Sequence, residues 1–501
     1  MAVASLATWV TAALAAGANP ASTGPVSVTG TAKWGVTTTT LTTPLSSPAG
    51  PSTATGGLSP GSCPSSAGGT PAGEGILLVR MAGPGTTWAS PTDTSVVVDA
   101  QVDQGPTQEI VLFAGSDPFT YEGFVGSIAS GRHCVTLTVR PDLSHVTTIT
   151  PAVQVSGITL GVVPFGSTDY LLESHDPVLY GRSTSAVGDT PLITYGQQSA
   201  DPDGVDTDLS YVVTWTHEDT GDGTVPAYEW GLWGRMTDIE TVLTEKVAPD
   251  GKILSASYLS CGCEGAPIYP DFVPENPANG GETDKPYPSS GTPAPLENHL
   301  AIRDATGNND ISPDGTSAYR FQQTLVGAPG PGQARETAMD QNPWSYRISG
   351  QEVGRETVSS TDSHNFLAGV YPQYLIVDIN AQAQNTSSIA VEVQLAGDPT
   401  WYSNDYAQMT SPGPPTTFPF YNGGHARTVI KLPLGWNGTP ITALRLRLDA
   451  PPGGPPPALV GTPAIELIEV TPDYAIEHPS FPAPSVVTAT QVVPATGVIG
   501  A

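Results

Sequence analysis

The side chains best suited to chemistry are concentrated between residues 209 and 240, in the run LSYVVTWTHEDTGDGTVPAYEWGLWGRMTDIE. The rest of the chain is dominated by Thr, Ser, Gly, Pro and Val, so carboxylates, an imidazole and indole rings stand out here. We therefore take this run as the first place to look for a site. The candidates within it are His217, Glu218, Asp219, Asp222, Trp233, Arg235, Asp238 and Glu240.

Asp238 and Glu240 are the pair on which a catalytic hypothesis depends. If the segment is a β-hairpin, TVLTEKV and KILSASY pair across APDG, and both carboxylates share a strand face about 7 Å apart. That separation suits two ligands of one cation, or two carboxylates that flank a scissile bond. If the segment is a helix, Thr237 and Glu240 form a capping box and Glu240 is structural. The β-branched residues favour the hairpin, and the helix is the open alternative.

In a hydrolase, Asp238 and Glu240 would be the acid/base or metal-ligand pair, and the general acid would need a raised pKa. His217 and Glu218 would complete the catalytic cleft, because His217 ends the alternating strand LSYVVTWTH. Asp219 and Asp222, in the following turn, are candidate metal ligands. An Asx-type turn with a capping histidine explains the same residues without any function.

Two further acidic segments are candidate calcium sites. DPDGVDTD places Asp201, Asp203 and Asp206 on a Gly-containing loop, and carboxylate oxygens on such loops are what calcium prefers. NHLAIRDATGNND adds Asn309 and Asp310, which would complete a site begun by the carboxylates near residue 240. The alternatives are a solvated acidic turn and local capping by Asn and Asp.

Aromatic side chains beside polar ones predict a sugar-binding surface. DQNPWSY contains Trp344 and Tyr346, and Trp233 with Arg235 lies in the opening run. Such exposed aromatics are typical of sugar platforms, although a lone Trp is more often in a core. The chain has no GxSxG elbow, no HExxH helix and no phosphate-binding Gly loop.

Charge and composition limit the partners and the compartment. With 47 acidic and 18 basic residues the formal charge is −29, so nucleic acid and anionic membranes would be repelled. No stretch has the length of a transmembrane span.

The four cysteines fit one or two disulfides, preferably Cys63 with Cys134, in an oxidising extracellular compartment. Residues 2–16 resemble part of a signal peptide, but no Lys or Arg precedes them.

Short alternating strands between Gly/Pro-rich turns predict a mainly β, multidomain chain. The expected fold is an immunoglobulin-like sandwich, a central β-rich domain and a C-terminal jelly-roll-like sandwich. The predicted divisions are a Thr/Pro/Gly-rich arm at 1–75, the first sandwich at 76–165, the central domain at 166–360, the second sandwich at 361–480 and an extended tail at 481–501.

The run Gly234-Arg-Met-Thr-Asp238-Ile-Glu240 resembles the heptad of the necrosis- and ethylene-inducing-like proteins. In that family a Gly-His-Arg-His-Asp-Trp-Glu strand contributes acidic metal ligands on a β-sandwich. Vacuolar-sorting-type β domains similarly follow an Asp-x-Glu strand with a His-containing strand, here NHLAIRDATGNN. Only Gly234, Asp238 and Glu240 match, and both motif histidines are absent. The resemblance implies metal binding at the two carboxylates and implies nothing about toxicity or lipids.

Two functions from different classes follow. The favoured hypothesis is a secreted, calcium-binding β protein that acts on or binds an extracellular polysaccharide or cell-surface glycan. The competing hypothesis is a non-enzymatic structural, adhesive or shell protein that self-assembles through its Thr/Pro-rich arms. Low charge density and the missing catalytic signatures support the second, so enzymatic activity is an open question.

Overall fold

The structure is a computed structural model that describes most residues from 71 to 490 and three short strands before them. The parts of this range that are not described are 104, 130–131, 168, 182–189, 217–233, 261–282, 287–297, 306–308, 314–319, 322–324, 331–332, 334, 360–373, 386–387, 405–422, 434, 437, 451–452 and 473.

The chain is mainly β, as predicted. Strands make up 54% of the structure and helices 7%, and the strands form several separate sheets of the multidomain β-sandwich class. The chain divides into two compact units: Met1–Asp222 with Asp238–Ala338 form unit 1, and Gly223–Thr237 with Met339–Ala501 form unit 2. The finer division into five segments stays a prediction.

The first part of unit 1 contains three antiparallel sheets: two larger ones with strand orders β1-β9-β6-β7 and β2-β11-β4-β8, and a two-stranded one of β10 and β5. Alternate residues of these strands, such as Val79, Val98 and Ile158, are fully buried. The arm strands β1, β2 and β3 pair with the edges of β9 and β11. The strands are β1 (Val26–Thr29), β2 (Thr37–Thr39), β3 (Pro44–Ser46), β4 (Pro71–Ala82), β5 (Asp93–Ser95), β6 (Val97–Val102), β7 (Gln108–Val111), β8 (Phe119–Ala129), β9 (Arg132–Val139), β10 (His145–Val146) and β11 (Ala152–Pro164).

The second part of unit 1 is built on a six-stranded sheet with the order β17-β16-β15-β14-β13-β20, beside a small sheet β12-β18-β19. Glu109 and Arg320 connect the two parts, because the Arg320 carbonyl accepts a hydrogen bond from the Glu109 amide at 2.7 Å. The elements are α1 (Tyr170–His175), β12 (Val178–Tyr180), β13 (Pro191–Ala200), β14 (Thr207–Trp215), β15 (Ile239–Val247), β16 (Ile253–Ser260), β17 (Thr283–Pro286), β18 (Ala301–Asp304), β19 (Ile311–Ser312) and β20 (Leu325–Val326).

Unit 2 contains two helices and a β-sandwich. Its sheets, β24-β21-β27-β28 and β23-β22-β25-β29, enclose one core to which Val377, Val391 and Leu446 belong. Alternate residues of β21, β22 and β25 point into that core, which explains the period-two pattern of their sequences. The elements are α2 (Thr337–Gln341), α3 (Trp344–Ser359), β21 (Tyr374–Gln384), β22 (Ser388–Leu395), β23 (Tyr402–Ser403), β24 (Gly423–Lys431), β25 (Ile441–Ala450), β26 (Ala458–Leu459), β27 (Ala464–Val470), β28 (Ile476–Glu477) and β29 (Ser485–Thr490).

In the described part of the chain, no helix combines the length and the hydropathy that crossing a bilayer requires.

Candidate functional site

The segment after Asp238 is a β-hairpin, so the hairpin prediction is confirmed and the capped helix is wrong. Strands β15 and β16 pair antiparallel, with Leu243 opposite Tyr258. The connection closes where Ala248 N donates to the Lys252 carbonyl at 2.9 Å. Gly251 has φ +83° in this turn, a conformation that favours glycine.

Asp238 and Glu240 lie beside a cation, but that cation is an arginine. The Arg335 Nη1 atom lies 3.4 Å from both carboxylate oxygens of Glu240. Burial lowers the pKa of Arg335, and the carboxylates of Glu240, Glu336 and Asp238 more than reverse this, so the pKa is raised. A neighbouring guanidinium favours a carboxylate over a carboxylic acid, which is the wrong bias for the general acid of a glycosidase.

The predicted meeting of Asp238 with the NHLAIRDATGNND segment does occur. Asn309 Nδ2 donates to Asp238 Oδ2 at 3.0 Å, and Asp238 is 4% exposed. Asn309 has φ +53°, a left-handed conformation that Asn tolerates, and the Asp310 carbonyl accepts a bond from Ala305 N at 2.7 Å. Both residues therefore have local structural roles in closing the turn between β18 and β19.

The loop between β13 and β14 already holds a cation from the protein. The Lys246 ammonium lies 3.1 Å from Asp201, 2.7 Å from Asp203 and 3.3 Å from Asp206. Hydrogen bonds from the Asp206 amide and from Lys246 lower the pKa of Asp203. The Lys246 ammonium therefore lies among these three carboxylates, and the calcium loop stays a prediction.

The predicted sugar platform in unit 2 is wrong for Tyr346, which is 1% exposed. Its hydroxyl donates to Asp340 Oδ1, and Arg427 Nη2 contacts the same oxygen at 2.8 Å. A ring in this position has no free face for a sugar. Trp344 is half-buried at the start of α3, so its ring is still partly accessible.

Arg235 is also buried, at 3% exposed, and its guanidinium donates to the carbonyl of Thr237. It is therefore not positioned to contact a substrate. The preceding Gly234 has φ +67°, and a Cβ there would meet Arg427, Ile376 and Thr428 at 3.4 Å. The glycine of this heptad is thus favoured by its backbone conformation, whereas the space around it would accept a Cβ.

Several predicted residues lie outside the described part of the chain. These are His217, Glu218, Asp219, Asp222, Trp233, Cys63, Cys261 and Cys263. Cys134 lies in β9, and the predicted pairing with Cys63 stays a prediction. Among the residues that the structure does describe, no three His, Cys, Asp or Glu side chains are arranged to hold a metal ion.

One face of the six-stranded sheet forms a polar surface that no sequence motif predicted. We call it the open face, and its residues are Gln197, Ser199, Asp208, Ser210, Thr244, Lys246, Ser255 and Ser257. All eight are exposed or half-buried, and they line a concavity of about 940 Å³ together with Ala328 and Pro329.

The register of the strands arranges the open face in two rows. Gln197, Ser210, Thr244 and Ser257 face one another across four strands, and Ser199, Asp208, Lys246 and Ser255 form the next row. The hydroxyls of Thr244 and Ser257 are 2.6 Å apart. Strand alternation was the available signal, because TDLSYVV, LTEKV and ILSASY each alternate polar and apolar residues.

These features define a mainly β, multidomain protein with a polar sheet face. No model of a known protein family matches the chain, and no curated protein is significantly similar to it.

Proposed function

We propose that this protein binds an extracellular polysaccharide on the open face and does not cleave it. The observation that carries the proposal is the pair of cross-strand rows in one concavity, in which six of the eight side chains are hydroxyls or amides and the other two are Asp208 and Lys246. Ser, Thr and Gln side chains both donate and accept hydrogen bonds, as the hydroxyls of a sugar do. A row repeats at about 5 Å between strands and successive rows lie about 7 Å apart, which gives a grid of such groups.

The charges of the open face favour an uncharged sugar chain. Its one ammonium, that of Lys246, is bound by Asp201, Asp203 and Asp206, so it is not available for a sulfate or a uronate. The formal charge of −29 repels anionic chains further. If the protein also binds calcium, we propose Asp219 and Asp222 as the ligands. The extracellular location is inferred from composition.

The test removes hydroxyls from the open face without changing its charge. We expect Thr244→Val with Ser257→Ala to weaken binding to a neutral polysaccharide by about thirtyfold, since each of the two lost hydrogen bonds contributes about 1 kcal/mol. Affinity electrophoresis in gels containing neutral glucans, mannans or galactans would measure the change. Thr442→Val, at an exposed strand position in unit 2, is the matched control and should bind as the wild type does.

Absence of binding to every neutral polysaccharide would contradict the proposal. So would equal losses in Thr442→Val and in the double variant. Release of reducing ends by the wild type, abolished in Asp238→Asn or Glu240→Gln, would favour a hydrolase instead.

A second candidate function is self-assembly, because the N-terminal arm completes sheet edges. Strand β1 pairs with β9. Strands β2 and β3 both pair with one edge of β11, and β4 pairs with its other edge. Edges completed by a separate arm can be completed by the arm of another copy. We expect deletion of residues 1–70 to abolish any regular assemblies in electron micrographs of the full chain. A full chain that sediments as a monomer at all concentrations would exclude this function.

A further inference from the structure

Unit 1 contains a group of ionisable side chains that the proposed function does not use; five of them are buried, and Glu122 and Glu173 are half-buried. We call it the α1 cluster, and it consists of Glu74, Glu122, Glu173, His175, Asp176, Glu245 and His299. Five carboxyl groups thus share a site with two imidazoles. Charged groups in protein interiors are costly unless they are paired, so this excess of carboxyls needs a physical explanation.

The two histidines each face one carboxylate. His175 Nδ1 lies 2.7 Å from Glu245 Oε2, and neither side chain has any exposed surface. His299 Nε2 lies 3.3 Å from Glu74 Oε1, while its Nδ1 is 2.6 Å from the carbonyl of Asp176. The first contact attaches α1 to β15. The others attach Asp176, the residue after α1, to His299 before β18, and attach His299 to β4.

Packing also holds α1 tightly against the sheet. Tyr211 Oη donates to the carbonyl of Leu172 at 2.8 Å. Gly196 makes this approach possible, because a Cβ at that position would lie 2.8 Å from Leu172 Cδ2. The helix therefore covers the face of β13 and β14 that is opposite to the open face.

Among the residues that the structure describes, no cation lowers the pKa of the remaining carboxyls of the cluster. Burial, then the charges of Glu74 and Asp169, raises the pKa of Glu173 from 4.5 to about 8. Burial, then several neighbouring carboxylates, raises the pKa of Asp176 well above its usual range. Burial and Glu173 act in the same direction on the pKa of Glu122.

The pKa of Glu245 is also raised, and the strands that contact α1 contribute further carboxyl groups. Burial raises the pKa of Glu245, and the His175 hydrogen bond opposes this shift. Of the elements that contact α1, β4 contributes Glu74 and β8 contributes Glu122. Strand β11 carries no titratable side chain, and β13 carries only Tyr195.

We propose that the α1 cluster is a proton-operated latch that holds α1 on the sheet in mildly acidic solution and loosens it above neutral pH. Protonated carboxyls can share hydrogen bonds inside the cluster, whereas five carboxylates around two imidazoles repel one another. Atoms with unused hydrogen-bonding capacity in this part of the structure, His175 Nε2, Asp176 Oδ1 and Glu245 Oε1, are available to accept or donate such bonds.

The direction of the pH effect follows from linkage. Below pH 4.5 the Glu173 carboxyl is protonated in both the docked and the released helix, and its contribution to docking is fully present. Between pH 4.5 and about 8 only the docked state keeps the proton, so each added pH unit weakens docking. Above about pH 8 both states have lost the proton and the Glu173 contribution no longer changes.

Hydrogen exchange of the amides of residues 170–176 in the full chain tests the latch. Exchange is expressed relative to the unstructured rate at each pH, so the intrinsic pH dependence of exchange cancels. We expect protection in the wild type to fall by at least about tenfold between pH 5.5 and pH 8.5, since a single pKa unit corresponds to tenfold. Glu173→Gln, which is neutral at every pH, should keep most of its protection.

Controls make the outcomes decisive. Asp250→Asn, in the exposed turn between β15 and β16, should behave as the wild type does. If Glu173→Gln does not fold, as judged by circular dichroism, Glu122→Gln takes its place. Protection that is equal at the two pH values in the wild type would overturn the proposal, as would an undiminished pH dependence in the variant. Restoration of protection at pH 8.5 by added calcium or zinc would also overturn it, in favour of a metal site.

Discussion

Replacing Glu245 with Leu should lower the free energy of unfolding of unit 1 by about 3 kcal/mol. The reason is that His175, which is 0% exposed, would lose the carboxylate that lies 2.7 Å from its Nδ1 atom. An imidazole with an unpaired ring nitrogen in the interior bears the full cost of its desolvation. Urea unfolding followed by tryptophan fluorescence would measure the change, since Trp88 and Trp215 are buried in unit 1.

The same pair allows a double-mutant cycle. His175→Leu with Glu245→Leu replaces both buried polar groups with apolar ones, and such double replacements are often close to neutral. We therefore expect the double variant to be more stable than either single variant. If the losses of unfolding free energy in the two single variants add up in the double variant, the two side chains contribute independently and the contact between them does not stabilise the fold.

The alternation of residues along the chain was enough to predict the fold class. Strands such as YLIVDINAQ and ALRLRLDA alternate because one side faces a core, and these became β21 and β25 of the unit 2 sandwich. The hairpin after Asp238 was predictable for a similar reason: APDG is a turn sequence, and β-branched residues flank it. Such patterns can be read from the local sequence because they depend only on contacts within one or two neighbouring strands.

The ion pairs were not predictable, because their partners are distant in sequence. The aspartates of the 201–206 loop were predicted to bind calcium, yet the cation beside them is Lys246, which the β14–β15 register places opposite Asp208. One readable signal was overlooked. Glu245 stands between Leu243 and Val247 on the buried side of β15, and a carboxylate in an apolar row must have a buried partner.

Replacing Arg427 with Met should destabilise unit 2 by about 2 kcal/mol. Arg427 is 3% exposed, and its Nη2 atom contacts Asp340 Oδ1 at 2.8 Å and Tyr346 Oη at 3.0 Å. The Asp340 side chain is 20% exposed, so part of its charge is screened by solvent and the loss is smaller than for a fully buried pair. Thermal or urea unfolding of the full chain, observed as the transition of unit 2, would measure the effect.

Tyr346→Phe separates the hydroxyl from the guanidinium in this network. It removes the hydrogen bonds of the Tyr346 hydroxyl to Asp340 and from Arg427 while leaving the Arg427–Asp340 contact, so we expect a loss of about 1–2 kcal/mol. Combining Arg427→Met with Asp340→Asn removes both charges, and it should be less damaging than the sum of the two single changes. If Arg427→Met alone leaves the transition unchanged, the three side chains do not act together and their contacts do not stabilise unit 2.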